Sequence, residues 1–362
     1  MATYRRQKCN VIWNGEPSFE FRVTNGVRQG GVLSAILFAV YIDELLFELR
    51  KSKLGCHIDG VFFGAFIFAD DVFLLSGNIA GLQVLVDICS RFAAKKNLKF
   101  GTDKNIEKSK TKCIAFHKNP KEISNLRKVL LDGNPLPWVH SVKHLGTTLQ
   151  SDNSMKLDIA MKRGKFIGKV NSLLQEFHYL DPPLLMKLIN SCATSFYSSS
   201  TWDILSAECE KLYRSWNVTV RNVLKLDRCT HRSLIEPLSG VIHVKTALLS
   251  RYLTFIRSLE SCDKLSIRYL TRVNSSDCHS QMGKILSYIC ETCEVERGRF
   301  DTVTQMQVKR MHTYSSVAEN DEWTIQIGKE LLQARNWKIN EIKIPGFRSE
   351  EIDTMLNYIC TS

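Results

Sequence analysis

Asp70 and Asp71 are adjacent carboxylates between nearly apolar runs, residues 61–68 before them and 72–75 after them. Two like charges this close repel, more strongly as their surroundings dry out, so something must compensate them. Water at an exposed bend, a basic neighbour and a divalent cation would each serve. Carboxylate oxygens are hard donors suited to Mg²⁺ or Mn²⁺, which keeps water and substrate phosphates in its other positions. Neighbours on a strand point to opposite faces, so one of the two is expected to ligate directly and the other to assist, with Asp70 placed in the direct role. A second possible donor set is Cys278, His279, Cys290 and Cys293, where the last two have the two-residue spacing of zinc ligands. Unpaired helical cysteines are the simpler reading there. The nine His are dispersed, with none beside a Ser or Cys in a nucleophile arrangement. Trp138, Trp202 and Trp216 are candidates for base stacking, but helical spacing favours core packing.

The elements that must hold these groups follow from periodicity. Residues 61–75 read as a hairpin with the acids at its bend, and 11–23 as another, turned at Asn14-Gly15. The polar segment Arg28-Gln29-Gly30-Gly31 leads into a helix that Ser34 is placed to cap, with Leu37, Tyr41, Leu45 and Leu49 as its stripe and Gly55 ending it. Leu82, Leu85, Val86, Cys89, Phe92 and Ala93 mark a second helix. A strand near residues 112–116, a turn at Asp132-Gly133 and a strand over 142–149 complete the mixed region. A glycine in a strand, such as Gly146, suggests a bulge. Beyond about residue 150 the pattern is helical: one helix opens at Pro182-Pro183, another carries Leu212, Trp216, Val220 and Val223, a third covers 244–259, and a short one is expected at 349–358. These patterns predict an α+β chain with units at 1–150, 151–240 and 241–362.

The 362 residues carry 49 Lys plus Arg against 37 Asp plus Glu, a net charge of +12. Residues 91–128 hold twelve basic and three acidic side chains, so most of the excess lies in one stretch. Lys162, Lys165 and Lys169 share a helix face and could follow a line of phosphates. With 44% hydrophobic residues the chain can build cores. The longest nearly apolar stretch, 30–42, is 13 residues, too short to cross a bilayer, and no apolar block follows the basic start. Twelve scattered cysteines favour reduced thiols. The expectation is an intracellular chain with no membrane partner.

The order Arg28-Gln29-Gly30-Gly31-Val32-Leu33-Ser34, then Phe68-Ala69-Asp70-Asp71, then Lys108-Ser109-Lys110, then His144-Leu145-Gly146 resembles the reverse transcriptase of non-LTR (LINE-type) retrotransposons. The resemblance continues through Asn190-Ser191-Cys192 to Tyr197, Trp202, Trp216 and His231-Arg232. It implies the C-terminal part of a right-hand polymerase palm, followed by an all-α thumb and a helical C-terminal region. The implied activity is RNA-directed DNA polymerisation with Mg²⁺ or Mn²⁺, an RNA template, a DNA primer and deoxynucleoside triphosphates. By the same resemblance Asp70 and Asp71 are the catalytic metal ligands. Arg28, Gln29, Gly30 and Gly31 line the nucleotide and template, and Lys110 lies near the triphosphate. Leu145 and Gly146 position the primer end, and Lys162, Lys165 and Lys169 contact backbone phosphates.

Phe68 stands where many relatives have Tyr, and Ala35 where Pro is usual. The family also uses a third carboxylate from an earlier strand, and no Asp precedes Asp43 here. The sequence therefore reads as an N-terminally truncated polymerase, inactive by itself. A non-catalytic nucleic-acid-binding remnant is the alternative. A metal-dependent nuclease is a further rival, which would need more carboxylates or a histidine grouped near Asp70.

Overall fold

The computed structural model describes residues 8–23, 30–103, 108–117, 126–228, 230, 235, 238–293, 295 and 303. Arg28, Gln29, His231, Arg232 and the helix expected at 349–358 lie outside them. The chain divides into two compact units, Met1–His140 and Ser141–Ser362.

In the first unit, β1 (Lys8–Cys9) pairs antiparallel with β4 (Phe21–Arg22), enclosing the hairpin of β2 (Ile12–Trp13) and β3 (Glu16–Pro17). Asn14 and Gly15, both with positive φ, make its two-residue turn. Helix α1 spans Ser34–Lys51. Ser34 is not its cap: the Ser34 N–H already closes a turn onto the Gly31 carbonyl at 3.0 Å, so Leu33 takes the cap position and Ser34 is buried in the first turn. The expected stripe is also only half buried. Leu45 and Leu49 join a core with Ala65, Leu85, Ile88, Cys89 and Phe92. Leu37 and Tyr41 stay exposed, and the Tyr41 hydroxyl donates to the Lys96 carbonyl at 3.0 Å.

The apolar run 61–68 is two strands. β5 (His57–Ile58) pairs with β6 (Val61–Phe62), and β7 (Ala65–Phe68) pairs with β8 (Asp71–Leu74), both antiparallel. The break falls where Gly55 and Gly64 cross: a Cβ on Gly55 would lie 2.8 Å from the Gly64 Cα, a contact that only glycine allows. Helix α2, Ile79–Lys96, is capped by the Asn78 side chain accepting from Gly81 N–H, and it buries Leu85, Val86, Cys89, Phe92 and Ala93 as its spacing predicts. A small second core of Val86, Cys113, Val129, Leu131 and Leu136 lies beneath β9 (Cys113–Ile114), the hairpin of β10 (Leu130–Leu131) and β11 (Asn134–Pro135), and β12 (Trp138–Val139). Strands β9 and β12 pair in parallel.

The second unit opens with β13 (Ser141–His144) and β14 (Thr147–Gln150), an antiparallel hairpin. This corrects the single strand expected over 142–149 and the bulge at Gly146: Leu145 and Gly146 both have positive φ, 45° and 78°, and form the turn between the strands. Among the described residues the main helices that follow are α3 (Lys156–Glu176), α4 (Pro182–Ala193), α5 (Ala207–Val223), α6 (Val244–Glu260), α7 (Leu265–Ser276) and α8 (Gln281–Thr292). All of them except α7 contribute apolar side chains to one large core around Phe166, Ile189, Trp202, Trp216, Leu249 and Ile285. Among the described residues strands end at Gln150, and no helix is long and apolar enough to cross a membrane.

Candidate functional site

In the first unit the acid pair sits at a hairpin tip. Ala69 and Asp70 form a two-residue turn, with Ala69 at φ 52°, and Asp71 opens β8 opposite Phe68. One face of the hairpin carries Ala65, Ile67, Val72 and Leu74 onto the core shared with α1 and α2, which gives a marginal two-stranded element a fixed base. Its turn therefore projects from a packed platform. Both aspartates are exposed, and neither accepts a hydrogen bond from, or pairs with, a described residue. A basic neighbour among those residues is thus removed as the compensating group, which leaves water and a cation. Two unengaged carboxylates are a chemically suitable start for a hard divalent ion. No group of three or more His, Cys, Asp or Glu suited to a metal occurs among the described residues.

Gly30 and Gly31 lie just before α1. Gly30 has φ 77°, in the left-handed region, with open space where a side chain would project. Lys110 is exposed, and its stem lies against Gly101, where a Cβ would come within 3.1 Å of the Lys110 Cβ. The Thr111 N–H donates to the Gly101 carbonyl at 2.9 Å, fixing the segment that bears the lysine. Nothing in the local pattern marks Gly101 as its support.

In the second unit the Leu145-Gly146 turn rests on Tyr197. A Cβ on Gly146 would lie 2.9 Å from the Tyr197 ring, so the residue must be glycine for both its backbone angle and the contact. Behind the turn is a buried carboxylate that the sequence reading missed. Asp158, in the first turn of α3, accepts the Thr148 N–H at 3.0 Å, the Trp202 indole N–H at 2.8 Å and the Lys162 ammonium at 2.7 Å. Lys162 also donates to the Ser198 hydroxyl at 2.7 Å, and its ammonium lies 5.6 Å from the Trp202 ring centre and 5.9 Å from that of Tyr197. These contacts tie β14, α3 and the loop before Trp202 into one network. They also turn Lys162 inward, leaving its side chain 13% exposed. Lys165 and Lys169 are exposed, and Lys169 donates to the Cys192 carbonyl at 3.2 Å. The spacing of Asp158 and Lys162, four apart on a helix, was the available signal.

Trp202 and Trp216 are fully enclosed, which makes them core and not stacking platforms. Cys290 is buried in α8, while Cys278 is exposed in the turn between α7 and α8. Burial pushes the thiols of Cys89, Cys113 and Cys209 up to about 12, 11 and 11, the range of inert structural cysteines.

Residues 2–149 match the family described as reverse transcriptase (RNA-dependent DNA polymerase). Similar proteins include the retrovirus-related Pol polyprotein of the type-2 retrotransposable element R2DM of Drosophila melanogaster, 33% identical over 136 residues, which are 35% of this chain and 13% of that protein. Another is the Pol polyprotein of the type-1 retrotransposable element R2 of Popillia japonica, 27% identical over 161 residues, 43% of this chain and 26% of that protein. The chain therefore spans a small part of the relatives it matches.

Proposed function

We propose, from the match of residues 2–149 to the reverse transcriptase family and their likeness to the Pol polyproteins of R2 retrotransposable elements, that the chain serves RNA-templated DNA synthesis, with RNA template, DNA primer and deoxynucleoside triphosphates as its substrates. The reading rests on the acid pair: two exposed, unengaged carboxylates on a turn with a packed base, in a chain of this family. Asp70 and Asp71 would hold Mg²⁺ or Mn²⁺, which when bound neutralises charge on the reacting phosphates.

Gly30 and Gly31 offer backbone unobstructed by side chains to the incoming base pair, and the resemblance assigns Arg28 and Gln29 to the same nucleotide and template contacts. Lys110 offers its ammonium to the triphosphate, where it would offset charge gathering on the leaving group. The Leu145-Gly146 turn meets the primer end. Lys165 and Lys169 follow the phosphates, with Lys162 behind them bracing the helix. In this reading residues 1–150 are palm, 151–240 thumb and 241–362 a helical C-terminal region.

Two carboxylates do not make a two-metal site, and no third donor joins them among the described residues. These 362 residues are therefore expected to bind Mn²⁺ at the acid pair without extending a primer. Electron paramagnetic resonance of added Mn²⁺ tests the first part: Asp70→Asn should lose the bound signal, and an undiminished signal would remove the pair from the site. Primer extension on an RNA template with Mg²⁺ tests the second, since extension abolished by Asp70→Asn would show that the chain is active as it stands.

A further inference from the structure

A cavity of about 320 Å³ opens in the second unit between the loop after α4 and helix α6. Tyr197, Ser198 and Ser200 line one side, and Arg251, Thr254 and Ser258 the other. The last three are spaced three and four apart on α6, so one helix face supplies a guanidinium and two hydroxyls.

Arg251 is half-buried. Its Nη1 donates to the carbonyls of Thr194 at 2.8 Å and Ser195 at 3.0 Å, which closes the C-terminal end of α4. Both acceptors are neutral, and no carboxylate among the described residues pairs with this arginine. Desolvation, with no opposing charge, lowers its pKa. A partly dehydrated cation without a counter-charge is electrostatically incomplete. A guanidinium has five N–H donors in a planar fork, and only Nη1 is committed here. The remaining edge suits an anion with two oxygens, such as a phosphodiester. Thr254 and Ser258 already donate their hydroxyls to the Ser250 and Phe255 carbonyls at 2.9 and 2.7 Å, so the Tyr197 and Ser200 hydroxyls are the neutral donors left for the anion.

The cavity's position selects the source of that anion. Tyr197 forms part of its wall and also carries the Leu145-Gly146 turn against its ring. A strand whose end met the turn would bring a neighbouring phosphate past this ring. We propose that the cavity seats one backbone phosphate of the nucleic-acid strand held by the Leu145-Gly146 turn, with Arg251 as its counter-charge. This rests on the reading of the chain as a primer-binding polymerase fragment and adds a contact to it.

The test is equilibrium binding of a fluorescent RNA–DNA hybrid by the full 362-residue chain across a salt series. Arg251→Gln should weaken binding about fivefold and lower the salt slope by about one, the signature of one lost phosphate contact. Because Arg251 also holds two carbonyls, Ser258→Glu provides a second arm: it places a negative charge in the cavity, leaves those bonds intact and should weaken binding similarly with an unchanged melting temperature. If both variants bind with wild-type affinity and slope, the cavity site is overturned while the polymerase reading stands. If the unsubstituted chain binds no hybrid, that reading falls and takes the site with it.

Discussion

Asp158 and Lys162 show how far a residue's role depends on what surrounds it. The carboxylate is 2% exposed and takes three hydrogen bonds, one of them from a cation that is itself mostly enclosed. Removing one partner of such a pair leaves the other as an uncompensated buried charge, which costs about 3 kcal/mol or more, whereas removing both costs far less. Asp158→Asn should therefore lower stability by about 3 kcal/mol, and the double variant with Lys162→Met should regain most of that loss. Trp202 donates its indole N–H to the same carboxylate, so tryptophan fluorescence during urea unfolding reads the change directly. A double variant no more stable than the single one would mean that the network's value lies in its shape and not in its charge balance. The i,i+4 spacing of the two residues was legible in sequence, but the arrival of Trp202 and Thr148 was not, because those partners come from elsewhere in the chain.

Among elements, helices and tight turns follow their local signals closely. Asn14-Gly15 and Asp132-Gly133 both turn with positive φ, and α2 buries the stripe its spacing marks. The strands differ from their local pattern where another segment intervenes: the Gly55–Gly64 crossing divides 61–68, and Tyr197 seats the turn at Gly146, whereas the shift of the α1 cap from Ser34 is local, set by the Ser34 N–H closing onto Gly31. The junction of α1 with α2 makes a further prediction. Glu44 receives Lys95 at 2.8 Å and Lys96 at 2.6 Å, and their hydrogen bonds pull its pKa down to about 2 from 4.5. A depressed carboxylate pKa stabilises the fold fully above the unfolded value and loses that contribution as pH falls through the folded one. Glu44→Gln should thus lower the melting temperature slightly at pH 7, with the difference from wild type closing as pH falls from about 4.5 towards 2. The pair is solvent-exposed, so high salt should shrink the effect as well. A gap that persisted at pH 2 would assign the effect to side-chain packing.

At the scale of the whole molecule, charge and core are distributed differently between the two units. The basic stretch 91–128 belongs to the first, which holds two small cores and several exposed large apolar side chains, among them Trp13, Phe19, Val32 and Phe68. The second has one large helical core and the lysine face of α3. If Lys165 and Lys169 follow phosphates, replacing both with Gln should reduce the salt slope of nucleic-acid binding by about two, since each contact contributes roughly 0.9. Lys162→Gln should leave that slope almost unchanged and lower stability instead, because its ammonium is committed to Asp158 and Ser198. A slope that fell equally for Lys162→Gln would put this lysine back among the phosphate contacts.

The acid pair at a hairpin tip, the change from mixed elements to helices near residue 150, and the order of motifs within residues 2–149, which match the reverse transcriptase family, were all legible in the sequence. Those features arise from interactions within a few residues: steric limits at turns, periodicity of apolar side chains, and adjacent charges that need an answer. Tertiary structure alone decided which charges were already answered. Asp70 and Asp71 remain unengaged among the described residues, Lys162 is spent on a buried carboxylate, and Arg251 stands half-buried without one. The compensation of a charge depends on whichever groups the folded chain brings within a few ångströms, and for Lys162 these include Ser198 and Trp202, some forty residues away along the chain.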